Sequence, residues 1–159
     1  MLPRVIIILL FSLGLCGCSA SGPIYKQYSP VGAESAIVYV YRPSRSVNCC
    51  VAPAVYLNGD KQHSLKNGGY LFYELTQGTH TLTVGDGSYG FTKESLELEV
   101  EVGKHYYLKW NIGPIENMGD VVAVAMLGGA TAGQREYNLV QINSDIAKQE
   151  ISSLKLSTP

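Results

Sequence analysis

The sequence is poor in charged residues and contains no run of charge of either sign. Lysine and arginine together number 12 and aspartate and glutamate 13, so charged residues make up 16% of the chain, whereas about a quarter is usual in soluble domains. Binding to nucleic acid or to an anionic lipid surface depends on clustered basic residues. The composition therefore makes both of them poor partners.

The sequence also lacks an apolar stretch that could cross a bilayer as a helix. An apolar run follows Arg4 and covers residues 5–15, but about 20 apolar residues are needed for a transmembrane helix. A basic residue followed by a short apolar run is typical of an export signal. We therefore expect this segment to direct secretion and then to be removed.

Cys18 lies at the end of this signal. Leu15, Cys16 and Gly17 precede it, and together they resemble a lipobox, in which the cysteine sulfur receives diacylglycerol and the chain is cut before it. The new amine is usually acylated as well, and several acyl chains make a lasting anchor. The alternative is an ordinary secretory signal with an incidental cysteine. Because Ser19, and not aspartate, follows the acceptor, the resemblance favours the outer membrane, facing the periplasm.

These features divide the chain into three parts. Residues 1–17 form the signal peptide, residues 18–34 form a lipidated N-terminus and a flexible linker rich in Ser, Gly, Pro and Tyr, and residues 35–159 form one domain. Removal of the signal would leave roughly 140 residues, enough for a single core. The linker would let the domain stand away from the membrane.

The domain has the composition and spacing of an all-β protein, with 11 tyrosines and 17 glycines. Apolar residues on both faces predict a central strand at residues 36–41, and Asn58-Gly59 predicts a type I′ hairpin turn. Further strands are predicted at residues 54–57, 61–65, 70–75, 79–84, 96–102, 105–112 and 137–142. Ser144 can cap a short C-terminal helix that packs through Ile146, Ile151 and Leu154. We expect an antiparallel β-sandwich of seven or eight strands.

The chain resembles a known family in its strand and turn segments. Residues 36–43, 55–59, 65–70, 78–82 and 103–107 are similar to the bacterial lipoprotein family called domain of unknown function 2846, over roughly residues 34–112. The middle section is also similar to PEGA-type β-sandwich modules. The resemblance implies a fold and a cell-envelope location but no activity.

Cys49 and Cys50 form the most unusual local feature, since adjacent cysteines in an exported protein meet an oxidising compartment. A vicinal disulfide, two free thiols and a covalent link to another molecule are the open alternatives. A soft-metal or thiol-redox role would need a third ligand or a cation that stabilises a thiolate. Arg45 is the only nearby cation in sequence.

The other residues capable of chemistry do not form a recognisable site. His63, His80 and His105 are scattered, and we expect His80 to donate to a turn carbonyl at the edge of the core. The alternating glutamates Glu97, Glu99 and Glu101 fit a solvated strand face better than a catalytic pair. No metal site and no cofactor is predicted.

Two segments late in the chain have patterns that suggest a buried strand or a binding loop. Residues 121–127 form an uncharged apolar run, which favours a buried strand and otherwise an apolar patch for a partner or lipid. Residues 128–135 have the glycine spacing of a phosphate loop, but Gln134 and Arg135 occupy the positions of the phosphate-binding lysine and the magnesium ligand. We do not expect nucleotide binding.

Taken as a whole, the sequence predicts a noncatalytic, lipid-anchored module of the bacterial envelope that binds an envelope protein or a cell-wall glycan. Exposed tyrosines, the loop at residues 44–53 and residues 121–133 are the expected contacts. The alternative function is a periplasmic metal or thiol-redox protein that uses Cys49 and Cys50.

Overall fold

A computed structural model describes residues 19–46, 49–85, 93–112 and 137–158. Most of these residues are in strands, and one short helix near the C-terminal end lies between the last two strands. The elements are β1 (Ser35–Arg42), β2 (Ala54–Leu57), β3 (Asp60–Ser64), β4 (Gly69–Thr76), β5 (Gly78–Val84), β6 (Glu94–Val100), β7 (His105–Ile112), β8 (Tyr137–Gln141), α1 (Ser144–Ile151) and β9 (Lys155–Leu156). The described residues contain no helix long and apolar enough to cross a membrane.

The strands form two sheets. One has the order β8-β7-β1-β4-β9 and the other the order β3-β2-β5-β6. Most strand pairs are antiparallel, as predicted, but β1 pairs with β7 and β4 with β9 in parallel. The whole second sheet lies between β1 and β7 in sequence, and a parallel pair requires such a long crossover connection.

Strand β1 is the centre of the five-stranded sheet, as its apolar alternation predicts. Ala36, Val38 and Val40 belong to the core between the two sheets, whereas Ile37 and Tyr39 belong to a second cluster on the outer face of the same sheet. All eight residues of the strand are buried. Consecutive side chains point to opposite faces of a strand, so a strand covered on both faces must be apolar throughout.

The core between the sheets collects the inward residues predicted for β6 and β7. Leu96, Leu98 and Val100 are buried while the glutamates between them are exposed, and Trp110 is fully buried. Val102 departs from the predicted pattern. It is 44% exposed, because β6 ends at Val100 and the chain has already entered the turn to β7.

The hairpin between β2 and β3 has the predicted turn. Asn58 and Gly59 both have positive φ angles, 51° and 90°, as a type I′ turn requires. The side chain of Asn58 also accepts a hydrogen bond from the Thr81 amide at 2.9 Å. The turn therefore fixes the position of β2 against β5.

The segment predicted to be a flexible linker is packed against the domain over much of its length. Ala20 is buried, Ile24 forms a β-bridge with Lys155, and Tyr25 and Tyr28 cover the outer face of the five-stranded sheet. We call residues 19–32 the N-terminal strap. The glycine, proline and serine content of the strap predicts flexibility, but the small residues instead allow the strap to approach the domain closely. At Gly22, for example, a Cβ would lie 2.6 Å from the Leu156 carbonyl oxygen.

Helix α1 begins with a different cap from the one predicted. The side chain of Asn143, not Ser144, accepts a hydrogen bond from the Asp145 amide at 2.9 Å. Ile151 and Leu154 are buried on the outer face, and Ile146 packs against them, as predicted. Strand β9 was not predicted, because two residues are too few to show a period.

Candidate functional site

The described residues contain a polar groove between the edge of β6 and the junction of β8 with α1. Its volume is about 470 Å³. One wall carries Glu97, Glu99 and Glu101, and the other carries Gln141, Asn143 and Ser144. Leu98, Lys104, His105, Tyr106 and Ile142 complete the lining. We call this feature the carboxylate groove.

Two carboxylates of the groove come from one face of β6, and the third, that of Glu101, follows the end of the strand. Glu97, Glu99 and Glu101 are all exposed, because alternate residues of a strand share a face and the apolar residues between them occupy the core. Glu101 forms an ion pair with Lys104 at 2.6 Å. An exposed pair of this kind contributes little to stability, and it lowers the net negative charge at one end of the groove.

The floor of the groove is held rigidly by the core. The Tyr106 hydroxyl accepts a hydrogen bond from the Glu101 amide at 3.0 Å, which fixes the turn between β6 and β7. The Ile142 amide donates to the Tyr107 carbonyl at 2.8 Å, and Asn143 is committed to capping α1. The groove can therefore offer hydroxyl, amide and carboxylate groups to a ligand in a preformed arrangement.

The groove and the start of the strap lie toward opposite ends of the strands. The turn at Lys104 lies beside the beginning of β1, where the Ile37 amide donates to the Lys104 carbonyl at 3.1 Å. Ser19 instead forms a β-bridge with Asn67, close to the pairing of Arg42 with Gly69 at the end of β1. An eight-residue strand at about 3.3 Å per residue separates the two ends by roughly 25 Å.

Cys49 and Cys50 lie in the loop before β2 as free thiols, with their Sγ atoms 3.3 Å apart. The hydrogen bond between the two thiols is the main cause that raises the pKa of the Cys49 thiol. A raised pKa leaves little thiolate at neutral pH, and the thiolate is the reactive form. Formation of a vicinal disulfide stays a prediction.

Arg42, which precedes the cysteine loop in the chain, also acts on Cys49 through its charge. Arg42 is 1% exposed, its guanidinium lies 5.2 Å from the centre of the Trp110 ring, and Nη1 donates to the Val51 carbonyl. Burial lowers the pKa of this arginine. Its hydrogen bond to Val51 shows a structural role at the base of the loop, which sequence reasoning missed because a buried arginine has no pattern of its own.

Two of the three histidines make hydrogen bonds that support the fold, and His63 is exposed on β3. His80 Nε2 donates to the Thr76 carbonyl at 2.9 Å, as predicted, and Nδ1 lies 3.1 Å from the Asn58 amide nitrogen. His105 Nε2 donates to the Tyr28 carbonyl at 2.7 Å and so holds the strap. In the part of the chain that the structure describes, no three histidine, cysteine, aspartate or glutamate side chains gather as a metal site would require.

The expectation that exposed tyrosines form a contact surface is wrong for the described residues. Ten of the eleven tyrosines are described, and each of them is buried or half-buried. Tyr39 stacks on Tyr107 with ring centroids 5.1 Å apart. Burial raises the pKa of both phenols. Burial also raises the pKa of Tyr70, to about 12. Tyr39, Tyr70 and Tyr107 serve the fold because the strap and α1 cover the sheet face that carries them.

Several predicted functional residues lie outside the described residues. They are Cys18, the apolar run at residues 121–127 and the glycine-rich residues 128–135. The loop at residues 44–53 is described except for residues 47 and 48. The sequence predicted Glu97, Glu99 and Glu101 as a surface face but not the groove, since Gln141, Asn143 and Ser144 reach it only through the packing of β8 beside β6.

Comparison with known proteins agrees with the family resemblance. No curated protein matches the chain. A family model described as a protein of unknown function, DUF2846, matches residues 32–129. The match extends past residue 112, where the resemblance in the strand and turn segments ends. Since it covers more than half of the sequence, the chain belongs to the DUF2846 family of proteins of unknown function.

Proposed function

We propose that this protein is a noncatalytic, lipid-anchored module of the bacterial outer membrane that binds an envelope component in the carboxylate groove. The anchor is Cys18, immediately before the strap, and the protein faces the periplasm. The observation that supports this most directly is the separation of the groove from the strap's first residue, Ser19, along the length of β1. A module tethered at one end holds its binding groove open at the other.

The chemistry of the groove favours a cell-wall glycan over an apolar protein surface. Glu97 and Glu99 can accept hydrogen bonds from sugar hydroxyls or pair with amines, and Gln141 and Ser144 can both donate and accept. A glycan with peptide side chains carries hydroxyls, amides and amines at close spacing. An envelope protein with a polar or basic loop is the second class of ligand.

The thiol-redox or metal alternative, which would use Cys49 and Cys50, has less support. The raised pKa of Cys49 disfavours the thiolate that either role requires. The neighbouring Arg42 is engaged with the Val51 carbonyl and the Trp110 ring. The two thiols are therefore better explained as part of a loop at the edge of the sandwich than as a reactive site.

Co-sedimentation with purified cell-wall sacculi tests the proposal. The double variant Glu99→Ala/Gln141→Ala removes one polar group from each wall of the groove. The matched control is Lys61→Ala, an exposed charged residue on β3, the other edge strand of the same sheet. We expect the wild-type chain and the control to sediment with the sacculi and the double variant to remain in solution.

A photo-crosslinking residue at position 99 tests the second ligand class in intact envelopes. Recovery of one envelope protein, abolished by Gln141→Ala, would support a protein ligand in the same groove. If neither sacculi nor a protein is captured, the groove is not a binding site. Reproducible hydrolysis of a cell-wall substrate that Glu99→Gln abolishes would show that the protein is an enzyme.

A further inference from the structure

We propose that the end of the sandwich formed by Ser19, Arg45, Lys66, Asn67 and Lys155 lies directly against lipid headgroups of the membrane that holds the anchor. This inference rests on lipidation of Cys18, which belongs to the proposed function. It adds to that function an orientation of the domain on the membrane and a surface that contacts lipid headgroups. We call this surface the strap end.

The strap leaves almost no free chain between the anchor and the domain. Ser19 is bridged to Asn67, and the Ala20 amide donates to the Asn67 carbonyl at 3.0 Å. Ala20 is 8% exposed and packs close to Gly69. Because consecutive Cα atoms are about 3.8 Å apart, a lipid on residue 18 would sit within one residue of the folded domain.

Contacts along the whole strap keep that first residue in place. The Tyr25 amide donates to the Leu154 carbonyl at 2.9 Å, and Tyr28 stacks on Phe72 with centroids 4.2 Å apart. At the far end, the Val31 and Gly32 amides donate to Glu74 Oε1 at 2.8 and 2.7 Å. Because the strap is docked, the connection between the anchor and the domain is short and has a fixed direction.

Basic residues surround the point where the strap begins. The Arg45 amide donates to Asn67 Oδ1 at 3.0 Å, and the Asn67 side chain donates back to the Arg45 carbonyl at 3.0 Å. Lys66 precedes Asn67, and the Lys155 amide donates to the Gly68 carbonyl at 3.1 Å. Arg45 and Lys155 are exposed and Lys66 is partly exposed, and the Arg45 guanidinium also donates to Asn111 Oδ1 at 2.9 Å. Basic residues beside a membrane anchor are attracted to headgroup phosphates.

The carboxylates of the groove lie toward the other end of the strands. Glu97 and Glu99 are on β6 and Glu101 follows it in the turn to β7, so these carboxylates lie away from the three basic residues of the strap end, although the whole chain is close to neutral. The net charge alone argued against a lipid surface. The positions of the charges in the folded protein favour contact of the strap end with a lipid surface and disfavour such contact for the groove.

Photo-crosslinking to lipid tests this orientation. The purified lipidated protein is reconstituted into vesicles of phosphatidylethanolamine and phosphatidylglycerol, with a benzophenone amino acid at position 66 or, in a second variant, at position 155. The matched control carries it at Gln77, an exposed turn residue at the opposite end. We expect on the order of tenfold more lipid adduct at positions 66 and 155, since the short tether sets a high local concentration of headgroups.

Two further measurements separate the ways in which the proposal can fail. Intact mass shows whether Cys18 carries acyl chains; an unmodified cysteine would refute the anchor and with it the orientation. Acylated protein with equal adduct at positions 66, 155 and 77 would refute the orientation alone. Insertion of about 20 Gly and Ser residues between Ser19 and Ala20 should lower the adduct severalfold, and an unchanged yield would also overturn the proposal.

Discussion

Truncation of Tyr25 is the most direct test of the docked N-terminal strap. Its ring packs edge-on against Tyr39, with centroids 5.3 Å apart, and against Tyr70 at 5.5 Å. Its hydroxyl lies 3.2 Å from that of Tyr107. A flexible linker would make none of these contacts, so Tyr25→Ala distinguishes the two descriptions of the segment.

The size of the expected loss follows from these contacts. Each edge-to-face pair contributes about 0.5–1.5 kcal/mol beyond the area that it buries, and the hydroxyl pair contributes about 1 kcal/mol. These contributions come to about 2–4 kcal/mol, and the apolar area that the ring buries adds to them, so Tyr25→Ala should lower the free energy of unfolding by at least about 2 kcal/mol. Tyr25→Phe keeps both ring contacts and should cost about 1 kcal/mol or less.

Urea unfolding followed by tryptophan fluorescence measures this loss. Trp110 is the single tryptophan and is fully buried, so its emission reports on the core between the sheets. Lys26→Ala, an exposed neighbour of Tyr25 in the strap, is the control and should change the midpoint little. If the Tyr25→Ala and Lys26→Ala midpoints coincide, the strap does not contribute to stability and the reasoning is wrong.

Three further predictions address the helix cap, the close contact at β9 and the acid sensitivity of the strap. Asn143→Ala should cost about 1 kcal/mol in urea unfolding because it removes the cap, whereas Ser144→Ala should cost less than about 0.5 kcal/mol. Gly69→Ala should cost about 2 kcal/mol in the same assay, since its new Cβ would meet Ser157 Oγ and lie 2.8 Å from the Lys66 carbonyl oxygen. Hydrogen bonds from the backbone of Gly32 and the hydroxyl of Ser35 lower the pKa of Glu74. The stability that the charged Glu74 adds is therefore present above its ordinary pKa of 4.5 and is lost as the pH falls through the lowered pKa. Wild-type protein should therefore lose more stability than Glu74→Gln between about pH 5 and about pH 3, and equal losses in urea unfolding across that range would contradict this.

Local patterns were enough to predict most of the strands and the hairpin turn. The alternation along β6 and the apolar faces of β1 repeat every two residues, and the period of the side chains is itself the strand geometry. Asn58-Gly59 carries the information for its turn in the backbone preferences of two residues. These strands and this turn can be predicted without knowing which strand pairs with which.

The sequence determined that the chain forms two β-layers with a short terminal helix, because side-chain period and turn chemistry act over a few residues. Only the tertiary structure decided the parallel pairing of β1 with β7, the docking of the strap and the groove between β6 and α1. Each of these joins residues far apart in the chain. Hydrogen bonding and burial between distant segments depend on which surfaces remain uncovered once the layers have formed, and no local window of sequence contains that information.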